Sequence, residues 1–121
     1  MDFDRNRPIY WQIIEYIKQK IMSHEIGSGE MVPSVRNLAM ELNVTTNTIQ
    51  RAYMELVREQ ILIPQRGLGY KVTEEKRKIN KLRNNYLEEK LDELLENMKK
   101  MGIKKAEFKE IIKSYIEELE G

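Results

Sequence analysis

Apolar positions recur at three- and four-residue spacing along most of this chain, and each stretch of that rhythm predicts a helix. Ile9, Tyr10, Ile13, Ile14, Ile17 and Ile21 form the first stripe, from Pro8 to about Ser23. Proline suits a first helical position, where its missing N–H would be unpaired in any case. His24 to Gly29 reads as a loop whose glycines supply the turn. A second, shorter stripe is Val35, Leu38, Ala39 and Leu42, behind Ser34, a natural N-cap. Asn43-Val44 closes it, since asparagine tolerates the left-handed conformation of a tight turn. Ile49, Ala52, Tyr53, Leu56 and Val57 make the third stripe, with Thr45 and Thr46 as cap candidates. Roughly three residues separate the second helix from the third, the spacing of a helix-turn-helix.

The rhythm then changes. Ile61-Leu62-Ile63, a turn over Pro64-Gln65-Arg66-Gly67 and the run Gly69-Tyr70-Lys71-Val72 predict a short hairpin with an arginine and glycines at its tip. From Thr73 to Met101 there is neither proline nor glycine, and Leu87, Leu91, Leu94, Met98 and Met101 alternate spacings of four and three, a narrow seam. Ile79, Leu82 and Tyr86 extend that seam upstream, and Gly102 stops the helix. A last helix, about Lys105 to Leu119, places Phe108, Ile111, Ile112, Tyr115, Ile116 and Leu119 on one face. The expected fold is mainly α with a small β-hairpin wing. Residues 1–73 form a winged helix-turn-helix and residues 74–121 a two-helix tail. Two such helices cannot bury their stripes alone. A second copy is the simplest cover, so Leu87, Leu91, Leu94, Met98, Phe108, Ile112 and Tyr115 are expected to join a homodimer.

Composition narrows the class. With 121 residues, 40% of them apolar, the chain can hold one modest core and an appendage. It has no cysteine, hence no disulfide or thiolate site, which fits a reducing cytoplasm. No apolar run approaches a membrane span, and the polar start MDFDRNRP does not read as a signal peptide. The expected location is cytoplasmic. Net charge is only +1: residues 1–73 carry 9 Lys/Arg against 8 Asp/Glu, and residues 74–121 carry 12 against 12. A nucleic-acid binder of this composition must sort its charges by face rather than by total.

The candidate chemistry crowds the start of the third helix. Thr46, Asn47, Thr48, Gln50 and Arg51 lie off its apolar face. Hydroxyl, amide and guanidinium groups at an exposed helix N-terminus suit the base edges of a DNA major groove. Arg36, on the first turn of the second helix, can clasp a guanine or a phosphate. Asn47 or Gln50 can pair with an adenine edge. Ser34, Thr45 and Thr48 serve as caps or as phosphate donors. Arg66 at the glycine-flanked tip can enter a minor groove where Gly67 lets the backbone come close. Each has a blander alternative: Arg36 and Arg66 as solvated arginines, and Arg51 as an ion pair with Glu55 one turn on. The run KRKINKLR over 76–83 can touch phosphate but reads first as a solvated helix face. His24 has no carboxylate or second histidine near it in sequence, and Gly67-Leu68-Gly69 lacks the rest of a phosphate-binding fingerprint. Neither a metal site nor a cofactor is expected.

Residues 8–72 resemble the GntR family of bacterial winged-helix transcription regulators. The resemblance rests on Pro8-Ile9-Tyr10 with Gln12, Gly29, Pro33-Ser34 with Arg36, Leu38-Ala39, Leu42 and Val44. It continues through Asn47-Thr48, Arg51-Ala52-Tyr53, Leu56, Gly67, Gly69-Tyr70 and Val72. The short tail is similar to that of the YtrA-type branch, whose members carry a small dimerising helical tail in place of a large effector domain. The resemblance implies DNA contact through Arg36, Thr46, Asn47, Thr48 and Gln50 and through the wing tip at Arg66 and Gly67. It also implies control of a transport or stress operon. Gln60 departs from the family's usual glycine, Val32 from leucine, Ser28 from proline, and Thr46 from a residue that is basic in some relatives.

The expected function is therefore a sequence-specific, dimeric DNA-binding regulator, a repressor of bacterial type on a palindromic operator. A winged-helix protein-interaction module that no longer reads DNA is the alternative, favoured by the near-zero net charge. An enzyme is not expected, because no nucleophile–base pair or metal cluster stands in the sequence and a chain ending at Gly121 leaves no room for a catalytic domain. Any small-molecule effector, of unknown identity, would have to lie between subunits or between head and tail. Trp11, beside the main stripe of the first helix, is expected either to pack on a tail helix or to line such a site.

Overall fold

Caps and stripes set the element boundaries. The structure, a computed structural model, describes residues 1–121, with α1 (Ile9–Met22), α2 (Val35–Leu42), α3 (Thr46–Arg58), β1 (Leu62–Gln65), β2 (Gly69–Val72), α4 (Lys76–Lys100) and α5 (Lys105–Glu120). Pro8 is the cap of α1 rather than its first helical residue, with φ −56° and ψ 135°. Ser34 caps α2 by accepting from the Asn37 N–H at 3.0 Å, and Asn43 ends it in the left-handed region at φ 56°. Of the two threonines before α3, Thr45 is the cap, accepting from the Thr48 N–H at 3.3 Å, and Thr46 is helical.

The chain divides into two compact units, Met1–Arg83 and Asn84–Gly121. In the first, α1 contributes Ile13, Ile14, Ile17 and Ile21 to the core, α2 contributes Leu38, Ala39 and Leu42, and α3 contributes Ile49, Ala52, Tyr53 and Leu56. Leu62 and Val72 add the inner face of the hairpin. Each fully buried side chain of this size stabilises the fold by about 1.5–3 kcal/mol. Ile9, at the solvent end of the first stripe, is exposed, while Val35 and Val57 are half-buried at the margin of the core. Gln12 is buried too; its amide meets the Asp4 backbone N–H and C=O and the Arg7 C=O, docking the N-terminal segment on α1.

Three features differ from the expectation. Pro64 and Gln65 lie in β1, opposite Tyr70 and Gly69, so the turn is Arg66-Gly67-Leu68, closed by the Leu68 N–H on the Gln65 carbonyl at 2.8 Å. A proline is tolerated here because β1 is an edge strand. The loop before α2 is not free: residues 29–32 lie beside β2, with Val32 N–H on Tyr70 O, Val72 N–H on Glu30 O and a bridge between Met31 and Lys71. Ile79 is 5% exposed and belongs to the core of the first unit, with Leu82 packed against it, rather than to the tail seam. That is why the first compact unit extends to Arg83, ten residues past residue 73.

The second unit holds the rest of α4 and all of α5. Gly102, at φ 75°, follows α4 in the left-handed conformation, and the Ile103 N–H bonds back to the Met98 carbonyl at 3.0 Å, as in a Schellman end. No side chain of α5 is fully buried. Leu87, Leu91, Leu94, Tyr115 and Leu119 are exposed, while Met98, Phe108 and Ile112 are half-covered within the single chain, as are Leu95 and Ile103.

Candidate nucleic-acid interface

The helix-turn-helix presents its polar residues at the two N-termini. Neither α2 nor α3 has an acidic residue in its first turn, so the positive ends of both helix dipoles stand without a competing carboxylate. Arg36 is exposed on the first turn of α2. Thr46 and Asn47 are exposed on the first turn of α3, and Thr48 and Gln50 are half-exposed beside them. The hydroxyls of Ser34 and Thr45 serve their helix caps, and the Thr48 hydroxyl bonds Thr45 Oγ1 at 2.9 Å. Phosphate oxygens only accept, so the Ser34 hydroxyl proton is free for one, and the Thr45–Thr48 pair keeps one hydroxyl proton between them.

The ion pairs of the first unit join Arg7 with Glu15, Lys18 with Glu59, Lys20 with Glu25, Arg58 with Glu55, Lys71 with Glu74 and Lys78 with Glu75. Arg36, Arg51 and Arg66 take part in none of them. The hydrogen bond from Arg58 holds the Glu55 carboxyl below its usual range, so the partner that sequence offered Arg51 is taken. Arg51 lies instead with its guanidinium 4.0 Å above the Tyr10 ring. Tyr10 in turn lies 4.9 Å from the Trp11 ring, which is 43% exposed.

The wing tip consists of Arg66, Gly67 and Leu68, all exposed, Leu68 at 77%. Gly67 sits at φ 74° with open space where a Cβ would stand, so its requirement is conformational rather than steric. Gln60, in the place of a glycine after α3, keeps the left-handed shape at φ 63°, with the Ile61 N–H on the Leu56 carbonyl at 3.0 Å. The helix end is thus preserved, at the cost of holding an L-residue there. Val32 fills the core position expected of a larger residue, and Ser28 donates to the Thr73 carbonyl at 2.8 Å.

Sequence reasoning missed the link between α3 and the wing. Gln50 Nε2 donates to the Tyr70 hydroxyl at 2.9 Å. The Tyr70 ring meets Tyr53 edge-on, 5.4 Å between centroids and 73° between planes. Tyr53 is fully buried and donates to the Pro33 carbonyl at 2.7 Å, and burial pushes its phenol pKa up. Gln50 and Met54 stand one turn apart on α3, but only the fold brings Tyr70 to them. No helix of the chain is long and apolar enough to cross a membrane.

Residues 9–72 match the family described as bacterial regulatory proteins, gntR family. The HTH-type transcriptional regulator YhcF of Bacillus subtilis is 35% identical over 95% of this chain and 95% of its own length. The HTH-type transcriptional repressor YtrA of the same organism is 31% identical over 94% of this chain and 88% of its own. Among solved structures, a GntR family transcriptional regulator from Listeria monocytogenes superposes with a TM-score of 0.86 at 38% identity, covering 93% of this chain and 98% of that one.

Proposed function

The chain belongs to the GntR family of bacterial regulatory proteins, and we propose on that premise that it is a cytoplasmic homodimeric repressor, each protomer reading one half of a palindromic operator. At the coarser level it is a DNA-binding transcriptional regulator, and its relatives are regulators rather than enzymes. The observation that carries the dimer is the exposed apolar surface of the second unit: Leu87, Leu91 and Leu94 on α4, and Tyr115, Ile116 and Leu119 on α5. A single chain leaves that surface in water, and a closed twofold pairing would remove it. One reading helix covers only a few base pairs; joining two makes the second contact intramolecular and raises affinity without a new DNA contact. The half-sites then lie about one helical turn apart. Repression is supported by the name of the relative YtrA, and a transport or stress operon by the resemblance to its branch.

The test uses the full chain and its Leu91→Lys/Leu94→Lys variant. Sedimentation should give a dimer for the first and a monomer for the second. Binding to a palindromic duplex selected from a random pool should be salt-dependent for both and at least tenfold weaker for the variant. A monomeric variant that binds the palindrome as tightly as its parent would refute the dimeric reading.

A further inference from the structure

The recognition-helix glutamine is held by the wing in a defined sense. Gln50 Nε2 donates to the Tyr70 hydroxyl at 2.9 Å, and that hydroxyl lies 4.0 Å from the Met54 sulfur, toward which it donates. A thioether sulfur accepts and never donates. The Tyr70 proton thus has an acceptor within reach in Met54, and in the structure its oxygen accepts from Gln50. In this arrangement the NH2 group turns toward the wing, while Oε1 and the second N–H remain for another partner. An acceptor beside a donor complements adenine, whose N6 amino group donates and whose N7 accepts. The reversed amide would turn Oε1 to Tyr70 and present two donors, a match for the paired acceptors of guanine.

The support under Tyr70 is rigid. Its ring packs edge-on against Tyr53, which has no exposure and is hydrogen-bonded to Pro33, and its backbone is paired with Pro64 in the hairpin. We propose that Tyr70 is a positioning residue for base recognition: it sets the Gln50 amide so that the protein selects adenine at one position in each half-site. The inference rests on the DNA-reading function proposed above and adds to it a residue that touches no base and yet determines one.

The test is selection from a randomised duplex pool with the full-length protein, its Gln50→Ala variant and its Tyr70→Phe variant. Phenylalanine keeps the ring against Tyr53 and removes only the hydroxyl. The parent should enrich adenine at one symmetry-related pair of positions, and Gln50→Ala should lose that preference. Tyr70→Phe should lower the discrimination there roughly three- to tenfold, the worth of one neutral hydrogen bond. Preferences elsewhere and the melting temperature should not change. A Tyr70→Phe profile identical to the parent's, an equal loss at every position, or guanine at the Gln50-dependent position would each overturn the inference while leaving the DNA-reading function standing. No enriched sequence from any of the three proteins would overturn that function and this inference with it.

Discussion

The N-terminal unit should depend on the first turn of a helix that by sequence alone belongs to the tail. Ile79 is 5% exposed and sits with Ile61, Leu62 and the α1 isoleucines in one core cluster. Cutting it back to alanine removes most of a buried aliphatic side chain and leaves a cavity, a loss of about 2–4 kcal/mol. That is a large share of the roughly 5–10 kcal/mol that holds a small domain together. With a urea dependence of about 1 kcal/mol/M for a unit of this size, the midpoint should fall by roughly 2 M or more. A fragment ending at residue 83 keeps Ile79 and Leu82 and should fold with near-full stability. A fragment ending at residue 73 loses Ile79 and Leu82 together, so its urea midpoint should fall by at least as much as that of Ile79→Ala.

The chain has a single tryptophan, Trp11, in the first unit, so its emission reports on the head without interference from the tail. Urea titrations of the two fragments and of Ile79→Ala, followed by that emission and by far-ultraviolet circular dichroism, measure the difference. Leu87→Ala, at a site 54% exposed in the second unit, supplies the control and should leave the head midpoint where it was. Equal midpoints for the fragments ending at 73 and 83 would refute the assignment of Ile79 to the head.

Since the Gln60 side chain also accepts from Lys78, the comparison is with alanine: Gln60→Gly should be more stable than Gln60→Ala by about 0.5–1 kcal/mol, because an L-residue at φ 63° costs roughly 1–2 kcal/mol and glycine returns part of that as unfolded-state entropy; a glycine variant melting no higher than the alanine one would show that the strain is absent. Arg36→Ala and Arg66→Ala should each weaken operator binding by about 1–3 kcal/mol if the guanidinium meets a base, with a loss that depends on operator sequence; unchanged affinity in both variants would sink the contact assignment. Burial keeps the Tyr53 phenol neutral in the folded state above the usual tyrosine range. Its contribution should therefore be intact below about pH 10, where the unfolded phenol begins to ionise, and fade as pH rises further; a Tyr53→Phe variant should show a shallower alkaline loss in thermal melts.

What the sequence made legible is what is encoded within a few neighbouring residues. Ser34 and Asn43 bracket α2 because a hydroxyl cap and a left-handed asparagine act on their own turns, and α2 runs from Val35 to Leu42 as those signals require. Thr45 does the same for α3, and Gly102 for the end of α4. The candidate residues Thr46, Asn47, Thr48 and Gln50 rest on the same locality, since they fall off the apolar face of one helix whatever surrounds it. Pairings between distant segments were not legible. Residues 29–32 lack the alternation of a strand, and only the edge of β2 gives their backbone partners. Ile79 continues the helical spacing of Leu82 and Tyr86, so periodicity cannot say whether it faces the head or the tail; its burial in the core cluster of the head decides.

The near-zero net charge illustrates the same division between local pattern and folded result. A count of 9 basic against 8 acidic residues in the first 73 suggests weak attraction to a polyanion, and on composition alone a protein-binding module is as plausible as a DNA reader. Folding changes the count that matters. Of those basic residues, Arg7, Lys18, Lys20, Arg58 and Lys71 are spent on carboxylates within the unit. Exposed pairs of this kind add little stability, but they neutralise acidic side chains that would otherwise repel phosphate. Arg36 and Arg66 stay outside those pairs, on separate exposed turns of α2 and the wing. With Debye screening near 8–10 Å at physiological salt, a phosphate close to either arginine senses that arginine far more than the total of the chain. Net charge can therefore stay near zero while the reading surface is locally positive.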